Sequence, residues 1–568
     1  MSEAAHRQEL EPTPPGAGAL ADVGATAKRA DAERSDAERG AEVEDAGAER
    51  GDAERARVDG VLARVAAADD DAPLDDHRVL HLLKADRRRA LLRRALLGAL
   101  ALFLAGLAFR YRLPLASYLR GEIDLHGAPR YAPPHPVDED ALAAIDWHDV
   151  HGRLLPLWVI TKSTRRLPED ERRAREHEAY SELRYALADD PNLLGLFDEL
   201  EAALREDPIG RARRVDYLLW AYNDYLDAHA IPWRLEATLH LRRRGRPTFL
   251  TRSYEVLHDL RDPAGHRLRL LRRADLTNVD EGFLGHTTGG GDGALVMLDQ
   301  VLEFGVRHVW PMLHGGLDAR LPERERGLAP FVRREALGAL EAPAYTLLHE
   351  TAVDQQALIE VASSIHARAS CGNTFRIYGL PWNGLEPPDQ RALVEALDRS
   401  QSGECPEVTL GEAARLLGAS ERLGRTPALA DAVEGLTTWV AGAVSVHELQ
   451  HVADEGEGAQ CSGCPEGMSA AAVDELSAYL ASFASETHGY TALLQACSME
   501  PDGEDVSEAP HAQALAIAFD AVLAQGCAGP IPDDLQRRAR AARARLFGQA
   551  DPPALPDDYP RRVTLLRR

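Results

Sequence analysis

Basic side chains are in short supply in this sequence, and lysine is especially rare. The 568 residues include 91 Asp and Glu against 65 Lys and Arg, a formal net charge of −26, and the lysines are limited to Lys28, Lys84 and Lys162. Binding to nucleic-acid phosphates needs a basic surface. We therefore expect no nucleic-acid partner. The richness in Ala, Arg and Leu with so little lysine is typical of a bacterial protein.

Large apolar side chains are almost absent from the first 78 residues. This segment consists mainly of Ala, Glu, Asp, Arg and Gly, and it repeats the sequence DAER at 31–34, 36–39 and 52–55. Such a composition buries too little apolar surface to offset the entropy of ordering the chain. Residues 1–78 are therefore predicted to be a disordered, or loosely helical, charged tail.

The sequence also lacks an uncharged run of the usual length for a membrane span, about 20 residues. Its longest candidate, 95–109, is shorter, but arginines on both sides can extend into the headgroups. We predict a transmembrane signal anchor at 90–114. More Lys and Arg precede this segment than follow it, which predicts a single-pass inner-membrane protein with a cytoplasmic N-terminus and a periplasmic C-terminal domain. The alternative is a buried Ala/Leu helix of a soluble cytoplasmic protein.

No cysteine occurs before residue 371. The chain has six, which are Cys371, Cys405, Cys461, Cys464, Cys497 and Cys527. An even number confined to the predicted periplasmic part favours disulfides, with buried free thiols as the alternative. The sequence CSGC at 461–464 resembles half of a zinc ribbon, but a second C-x-x-C is lacking. The pairing of the cysteines does not follow from the sequence.

The rest of the chain is predicted to be mainly α (α+β). Residues 115–328 form an accessory α+β region, with helical spacing over 140–230 and an alternating pattern over 233–273 that predicts a small antiparallel meander. HTTGGGDG at 286–293 is interpreted as a flexible loop. Residues 329–548 are predicted to be a helical domain and 549–568 a proline-rich C-terminal tail. The expected helices of the domain are about 331–370, 388–400, 409–420, 427–453, 469–486 and 510–525, with GNTFRIYGLPW at 372–382 as a strand.

One motif in the helical domain indicates chemistry. His447 and His451, in VSVHELQHVADEGEG, are one helical turn apart, so their imidazoles lie about 6 Å from each other on one face. Glu448 is rotated by about 100° from His447, where it can reach a water rather than the metal. The preceding turns, TTWVAGAVSV, predict a buried helix. Two buried histidines without a metal or hydrogen-bond partners are costly.

The H-E-x-x-H motif and a later glutamate resemble the gluzincin branch of zinc metallopeptidases. Glu475 is the candidate third ligand, 23 residues separating it from His451. The pattern E-x-x-A-Y differs from the E-x-x-A-D of one gluzincin branch, because Tyr479 replaces the aspartate that orients a ligand histidine. Asp454 is an alternative orienting group. The resemblance implies a zinc ion held by His447, His451 and Glu475, and it covers about 440–486.

Three further expectations concern the neighbourhood of this motif. Glu457 is a rival third ligand, at the spacing of the metzincin branch, but Asp454 stands where that branch needs glycine. His488 and Tyr490 are candidate donors to the developing oxyanion, with a structural role as the alternative. A second His-Glu pair, at 349–350, lacks the second histidine. Asp354 and His366 of the same segment are expected either to approach the cleft or to be ordinary helix residues.

These observations predict a membrane-anchored, zinc-dependent metallohydrolase acting on protein or peptide substrates. Glu448 is expected to be the general base for an attacking water and to pass the proton to the leaving amine. The alternative is a non-catalytic, membrane-anchored binding or scaffolding protein with a degenerate metal site. A fully soluble cytoplasmic zinc enzyme is a second alternative, and it corresponds to the core-helix interpretation of 95–109.

Overall fold

The computed structural model describes residues 131–163, 168–204, 208–240, 248–274, 283–288, 293–368, 382–403, 407–455, 458–499, 510–523 and 525–566. The predicted tail 1–78, the predicted anchor 90–114 and most of the predicted strand 372–382 lie outside these residues. Within the described ranges, no helix has both the length and the apolar character needed to cross a membrane.

A layer of helices precedes the sheet. It comprises α1 (Glu139–Ala144), α2 (Trp147–Asp149), a π-helical turn (Val150–Leu154), α3 (Leu155–Ser163), α4 (Glu169–Ala186), α5 (Pro191–Ala203) and α6 (Pro208–Ala228). Asp190 caps α5 by accepting hydrogen bonds from Asn192 N and Leu193 N. Pro191 occupies the first helical position. A backbone N–H at this position would have no partner within the helix, so proline costs no hydrogen bond there. Buried leucines and aromatic rings give this layer its own hydrophobic core.

A small mixed sheet follows. Its strands are β1 (Trp233–His240), β2 (Thr248–Arg261), β3 (Arg267–Arg273), β4 (Gly285–Thr288) and β5 (Gly293–Met297), in the spatial order β1-β2-β3-β5-β4. The antiparallel pairs β1–β2 and β2–β3 form the predicted meander, whereas β3 and β5 are parallel. The prediction of a loop from residue 286 was wrong for 286–288, which pair with β5 as β4, an edge strand of the sheet.

Short helical turns lead from the sheet into the helical domain. After α7 (Leu298–Phe304) come a π-helical turn (Gly305–Val309), two 3-10 turns (Trp310–Leu313 and Gly315–Arg320) and α8 (Glu323–Arg326). The domain then contains α9 (Ala329–Ala339), α10 (Ala342–Arg368), α11 (Pro387–Gln401), α12 (Leu410–Gly424), α13 (Leu429–Asp454), α14 (Ala470–Ala484), α15 (Gly489–Met499), α16 (Pro510–Val522) and α17 (Leu535–Phe547). The described chain is thus mainly helical with a small mixed sheet.

Two details of the predicted helices differ from the structure. The helix predicted over 331–370 is divided at Leu340–Glu341 into α9 and α10, and Pro343 follows at the second position of α10, where proline is tolerated. Helices α15 and α17 were not predicted. The sequence of α17, LQRRARAARARLF, has few large apolar residues, but Leu535, Ala539 and Leu546 are buried against the core.

Helix α13, which carries the H-E-x-x-H motif, is enclosed over most of its length. All residues from 436 to 446 are buried, and the helix packs against the sheet, α10 and α14. The segment 549–566, predicted as a tail, lies along the same helix. Val563 N donates a hydrogen bond to Thr438 Oγ1 (2.8 Å), and Leu566 N donates one to the buried carboxylate of Glu434 (2.9 Å). These bonds satisfy side chains that would otherwise be costly to bury.

Two disulfides are present among the described residues. Cys461–Cys464 closes the CSGC turn between α13 and α14, and Cys497–Cys527 connects α15 to the segment after α16. The expectation of disulfides is confirmed for these four cysteines, and the zinc-ribbon interpretation of CSGC is contradicted because its sulfurs bond to each other. Cys371 and Cys405 lie outside the described residues.

Candidate metal centre

The two histidines of the motif lie on one face of α13, as their spacing predicts. His447 Nε2 and His451 Nε2 are 3.2 Å apart. The side chains expose 14% and 15% of their surface, so the centre is accessible from solvent although the helix around it is buried. The rings are held at a large angle to each other, with centroids 4.9 Å apart.

Glu475 brings a carboxylate to the same point. Its helix, α14, is capped by Ser469, whose side chain accepts a hydrogen bond from Ala472 N. Glu475 Oε2 lies 3.5 Å from His447 Nε2 and 3.7 Å from His451 Nε2. Burial alone would raise the pKa of Glu475, but the surrounding imidazoles lower it far below its ordinary value. The carboxylate is therefore in its ligand form.

The arrangement fits a metal ion. The three donor atoms lie within 4.8 Å of one another. Ligands placed about 2.0–2.2 Å from a tetrahedral zinc ion are separated by roughly 3.3–3.6 Å, close to the separations found here. Glu475 Oε2 is also buried without a well-directed hydrogen bond, although three imidazoles surround it. A buried carboxylate oxygen without a partner is costly, and a cation between the donors would satisfy it.

Glu448 lies beside the donors and under the edge strand of the sheet. Only 5% of this residue is exposed. Burial raises the pKa of its carboxyl, and the nearby imidazoles oppose this shift without cancelling it. A Cβ atom placed on Gly285 of β4 would be 2.8 Å from Glu448 Cγ. Glycine at this position therefore allows β4 to pass directly over the carboxylate.

His511, on α16, was not predicted to be part of the site. Its Nδ1 lies 3.1 Å from Glu475 Oε2 and 3.1 Å from Tyr479 Oη. Hydrogen-bond geometry is met toward Tyr479, whereas the contact with Glu475 is a charge contact without a well-directed hydrogen bond. Tyr479 also packs its ring against His447, with centroids 4.8 Å apart. His511 and Tyr479 thus lie beside the candidate ligands and are bonded to each other.

Asp454, the alternative orienting group, has another partner. It accepts a hydrogen bond from Gln450 Nε2 (3.0 Å), and Gln450 Oε1 accepts one from the buried Arg543 of α17 (3.0 Å). These bonds join α13 to α17 rather than fixing a ligand histidine. Glu457, the rival third ligand, lies outside the described residues.

His488 and Tyr490 are not brought to the metal centre, which corrects their assignment as oxyanion donors. His488 packs on Gly442, where an added Cβ would be 2.5 Å from its Cε1. Tyr490 donates its hydroxyl hydrogen to Pro532 O (2.8 Å), and its ring stacks on Phe331. His488 directly precedes α15 and Tyr490 is its second residue, and both side chains pack into the helical core.

The second His-Glu pair also lies elsewhere. His349 packs its ring against His314, with centroids 4.7 Å apart. Asp354 forms an ion pair with Arg422 at 2.7 Å and joins α10 to α12. The interpretation of Asp354 as an ordinary helix residue is therefore correct, while the side chain of His366 lies outside the described part of the structure.

A histidine of the edge strand lies near the general-base candidate. His286 Nε2 is 3.1 Å from Glu236 Oε1 of β1. Burial lowers the pKa of His286, but the carboxylates of Glu236 and Glu448 outweigh this effect and raise it. The sequence around His286, HTTGGG, is far from HELQH along the chain. No pattern in it predicts that His286 lies near Glu448.

Comparison of the chain with protein families, with curated proteins and with solved structures found no match.

Proposed function

We propose that the protein is a metal-dependent hydrolase of the zinc peptidase type, with His447, His451 and Glu475 as the ligands. The observation that carries this proposal is the convergence of their three donor atoms beside the buried carboxylate of Glu448. Two imidazoles and one carboxylate with room for a further ligand are the donor set of catalytic zinc sites.

Each residue has a distinct role in this proposal. A bound zinc ion would supply Lewis acidity to a substrate carbonyl and to the attacking water. Glu448 takes a proton from that water and delivers it to the leaving amine. Its raised pKa suits this cycle, since a general base works best with a pKa near the operating pH. His511, which is hydrogen-bonded to Tyr479, faces the carboxylate of Glu475 and restrains it by charge.

A peptide is the substrate that the surroundings favour. Strand β4 is an edge strand, and in the described sheet it pairs only with β5. An extended peptide can add to such an edge through main-chain hydrogen bonds. Gly285 places the face of this strand against Glu448, so a peptide added at its edge would lie beside the general base.

The disulfides support the proposed location. Cys461–Cys464 and Cys497–Cys527 both lie in the part of the chain assigned to the periplasm. Disulfides persist in oxidising compartments and are rare in the cytosol. We therefore keep the periplasmic side of the inner membrane, with residues 90–114 as the anchor, as part of the proposal.

The first test measures zinc. We expect about one zinc per chain in the purified full-length protein, and loss of zinc from His447→Ala and Glu475→Ala. His349→Ala is the matched control, because His349 is also partly buried and also precedes a glutamate, but this variant should keep its zinc. Folded protein without zinc, or equal zinc in all variants, would leave the scaffolding alternative as the better explanation.

The second test measures hydrolysis. The zinc-loaded protein is incubated with a peptide library, and new termini are identified by mass spectrometry. Glu448→Gln should retain zinc, and its cleavage rate should be lower by a factor of about 10²–10⁴, the usual contribution of general acid–base catalysis. Cleavage that persists unchanged in Glu448→Gln excludes Glu448 from the mechanism. Cleavage that persists after chelation indicates a contaminating protease.

A further inference from the structure

The two disulfides differ in their exposure and in the length of chain that they close. Cys497 and Cys527 are 0% and 2% exposed, and their sequence separation is 30. Cys461 and Cys464 are only partly buried, the two residues between them are exposed, and the sequence separation is 3. A thiol must approach a disulfide sulfur in order to react with it. Such an approach is open at the CSGC turn and closed at the other disulfide.

The fold also does less to keep the CSGC disulfide closed. A cross-link restricts the unfolded chain more when it closes a longer loop. A disulfide that stabilises the fold is in turn protected from reduction by the fold, because both effects express the same free energy. Cys497–Cys527 therefore has this protection as well as burial, whereas Cys461–Cys464 has little of either. Exposed disulfides are the ones that exchange with thiols.

The CSGC turn is fastened to the end of α17. Ser462 N and Ser462 Oγ both donate hydrogen bonds to Leu546 O, at 2.9 and 3.2 Å. This carbonyl lies in the last turn of α17, where the helix has no further N–H to bond it. A Cβ atom on Gly463 would be 3.0 Å from Leu546 Cδ2, so the turn packs closely on the same residue. Opening the disulfide releases the turn that makes these contacts.

Both helices that carry the proposed ligands are connected to this turn. On α17, Arg543 Nη2 donates a hydrogen bond to Gln450 Oε1 (3.0 Å), and Gln450 directly precedes a ligand histidine. In the segment just before the turn, Ala459 N donates one to Asp474 Oδ1 (3.1 Å), and Asp474 directly precedes the ligand glutamate. The turn therefore supports α13 and α14 next to the residues that face the metal centre.

We infer that the Cys461–Cys464 disulfide is a reversible exchange site for external thiols, and that its reduction loosens the support of both ligand-bearing helices. A thiolate attacks one sulfur, the S–S bond breaks, and the other sulfur leaves as a thiolate. A second thiolate then attacks the external sulfur of the mixed disulfide and releases the remaining cysteine. Two external thiols are thereby oxidised to one disulfide, and their two protons and two electrons pass to the cysteine pair. The exchange is independent of the proposed hydrolysis, but its effect on zinc binding rests on that function.

The first test measures exchange in the folded, full-length protein. Free thiols are blocked with N-ethylmaleimide, the reagent is removed, and the protein is incubated with reduced glutathione. Newly formed thiols are alkylated and quantified by mass spectrometry. We expect Cys461 and Cys464 to be labelled at least about tenfold faster than Cys497 and Cys527, which are the internal control. Oxidised glutathione should restore the disulfide.

The second test measures the support of the helices by hydrogen–deuterium exchange in chelator-treated protein. Reduction should accelerate amide exchange in 450–454 and 473–478 by at least about threefold, whereas the amides of 436–446 are the reference and should not change. The double variant Cys461→Ser, Cys464→Ser should show the same acceleration without any thiol. Competition with a chelator should show about three- to tenfold weaker zinc binding in this variant, free of thiols that would themselves bind zinc.

Two results would overturn the inference. Equal labelling of the two disulfides, or no labelling of Cys461 and Cys464 in the folded protein, would refute the exchange site. Selective labelling without faster amide exchange in 450–454 and 473–478 would refute the connection to the ligand helices. Labelling and amide exchange need no metal, so they separate this inference from the proposed hydrolysis. A protein that binds no zinc but exchanges as described would refute the hydrolysis and support the inference.

Discussion

The two halves of α13 have opposite surroundings. From residue 436 to 446 every side chain is buried, and the segment 549–566 covers the helix further. His447 and His451 follow directly and are accessible from solvent. The anchored half, residues 436–446, therefore holds the helix in the core. The presenting half, residues 447–454, offers the donor atoms to the metal centre. A site built on such an anchored element keeps its geometry without relying on a loop.

The sharpest way to separate the halves is to remove one side chain from each. Leu436 is 1% exposed, and Leu436→Ala should lower the free energy of unfolding by about 2–5 kcal/mol through the cavity it leaves. His447→Ala should cost the metal-free protein less, about 1–2 kcal/mol, because the imidazole keeps some contact with solvent but also faces the carboxylate of Glu475. Urea denaturation after chelation measures both. Equal losses would mean that the two halves are equally structural.

Acid should destabilise the anchored half through the buried imidazole of His488. Burial lowers the pKa of His488, packed on Gly442, from 6.5 to about 4. Between these values the unfolded chain binds a proton that the folded chain does not, so stability falls as the pH falls. The difference corresponds to roughly 3 kcal/mol at pH 4. Denaturation between pH 7 and pH 4 should show a loss of stability larger by this amount in wild type than in His488→Phe, and parallel curves would contradict the assignment.

The difference between the halves also explains which parts were predictable. The proposed ligands follow from sequence patterns: His447 and His451 from helical spacing, and Glu475 from the interval that the family resemblance implies. His511, His286 and the segment 549–566 reach α13 through tertiary packing, because each is separated from it by several elements. Hydrophobic periodicity in the sequence does not predict contacts between elements that are distant along the chain. The assignment of His488 failed for the same reason, since closeness in sequence to α14 did not place it near the metal.

The sheet shows the same difference between local and tertiary signals, because the meander was predicted correctly and residues 286–288 were not. The alternation over 233–273 is a local signal and gave β1, β2 and β3 correctly. Strand β4 has four residues and is followed by glycines, so its composition indicates a loop. Its strand conformation depends on pairing with β5 and on contact with Glu448, neither of which is a property of the segment itself.

Two glycines of α13 test how tightly the anchored half is packed. An alanine Cβ at Gly442 would be 2.5 Å from His488 Cε1, whereas at Gly435 the nearest atom is 4.0 Å away. Gly442→Ala should therefore cost about 1–3 kcal/mol through overpacking. Gly435→Ala should stabilise the protein by about 0.5–1 kcal/mol through helix propensity. Thermal unfolding of both variants measures the signs, and stabilisation by Gly442→Ala would show that packing against His488 is not tight.

The presenting half depends on a residue from outside α13 and α14. His511 Nδ1 is 3.1 Å from Glu475 Oε2, and removing this imidazole leaves the carboxylate freer to rotate away from the histidines. His511→Ala should lower zinc affinity by about 10–100-fold, as loss of groups that orient metal ligands does elsewhere. Competition with a chromophoric chelator measures the affinity, and His314→Ala, a half-exposed histidine of another turn, is the control. Unchanged affinity in His511→Ala would mean that α13 and α14 alone set the geometry, and the anchored half would then be sufficient to hold the centre.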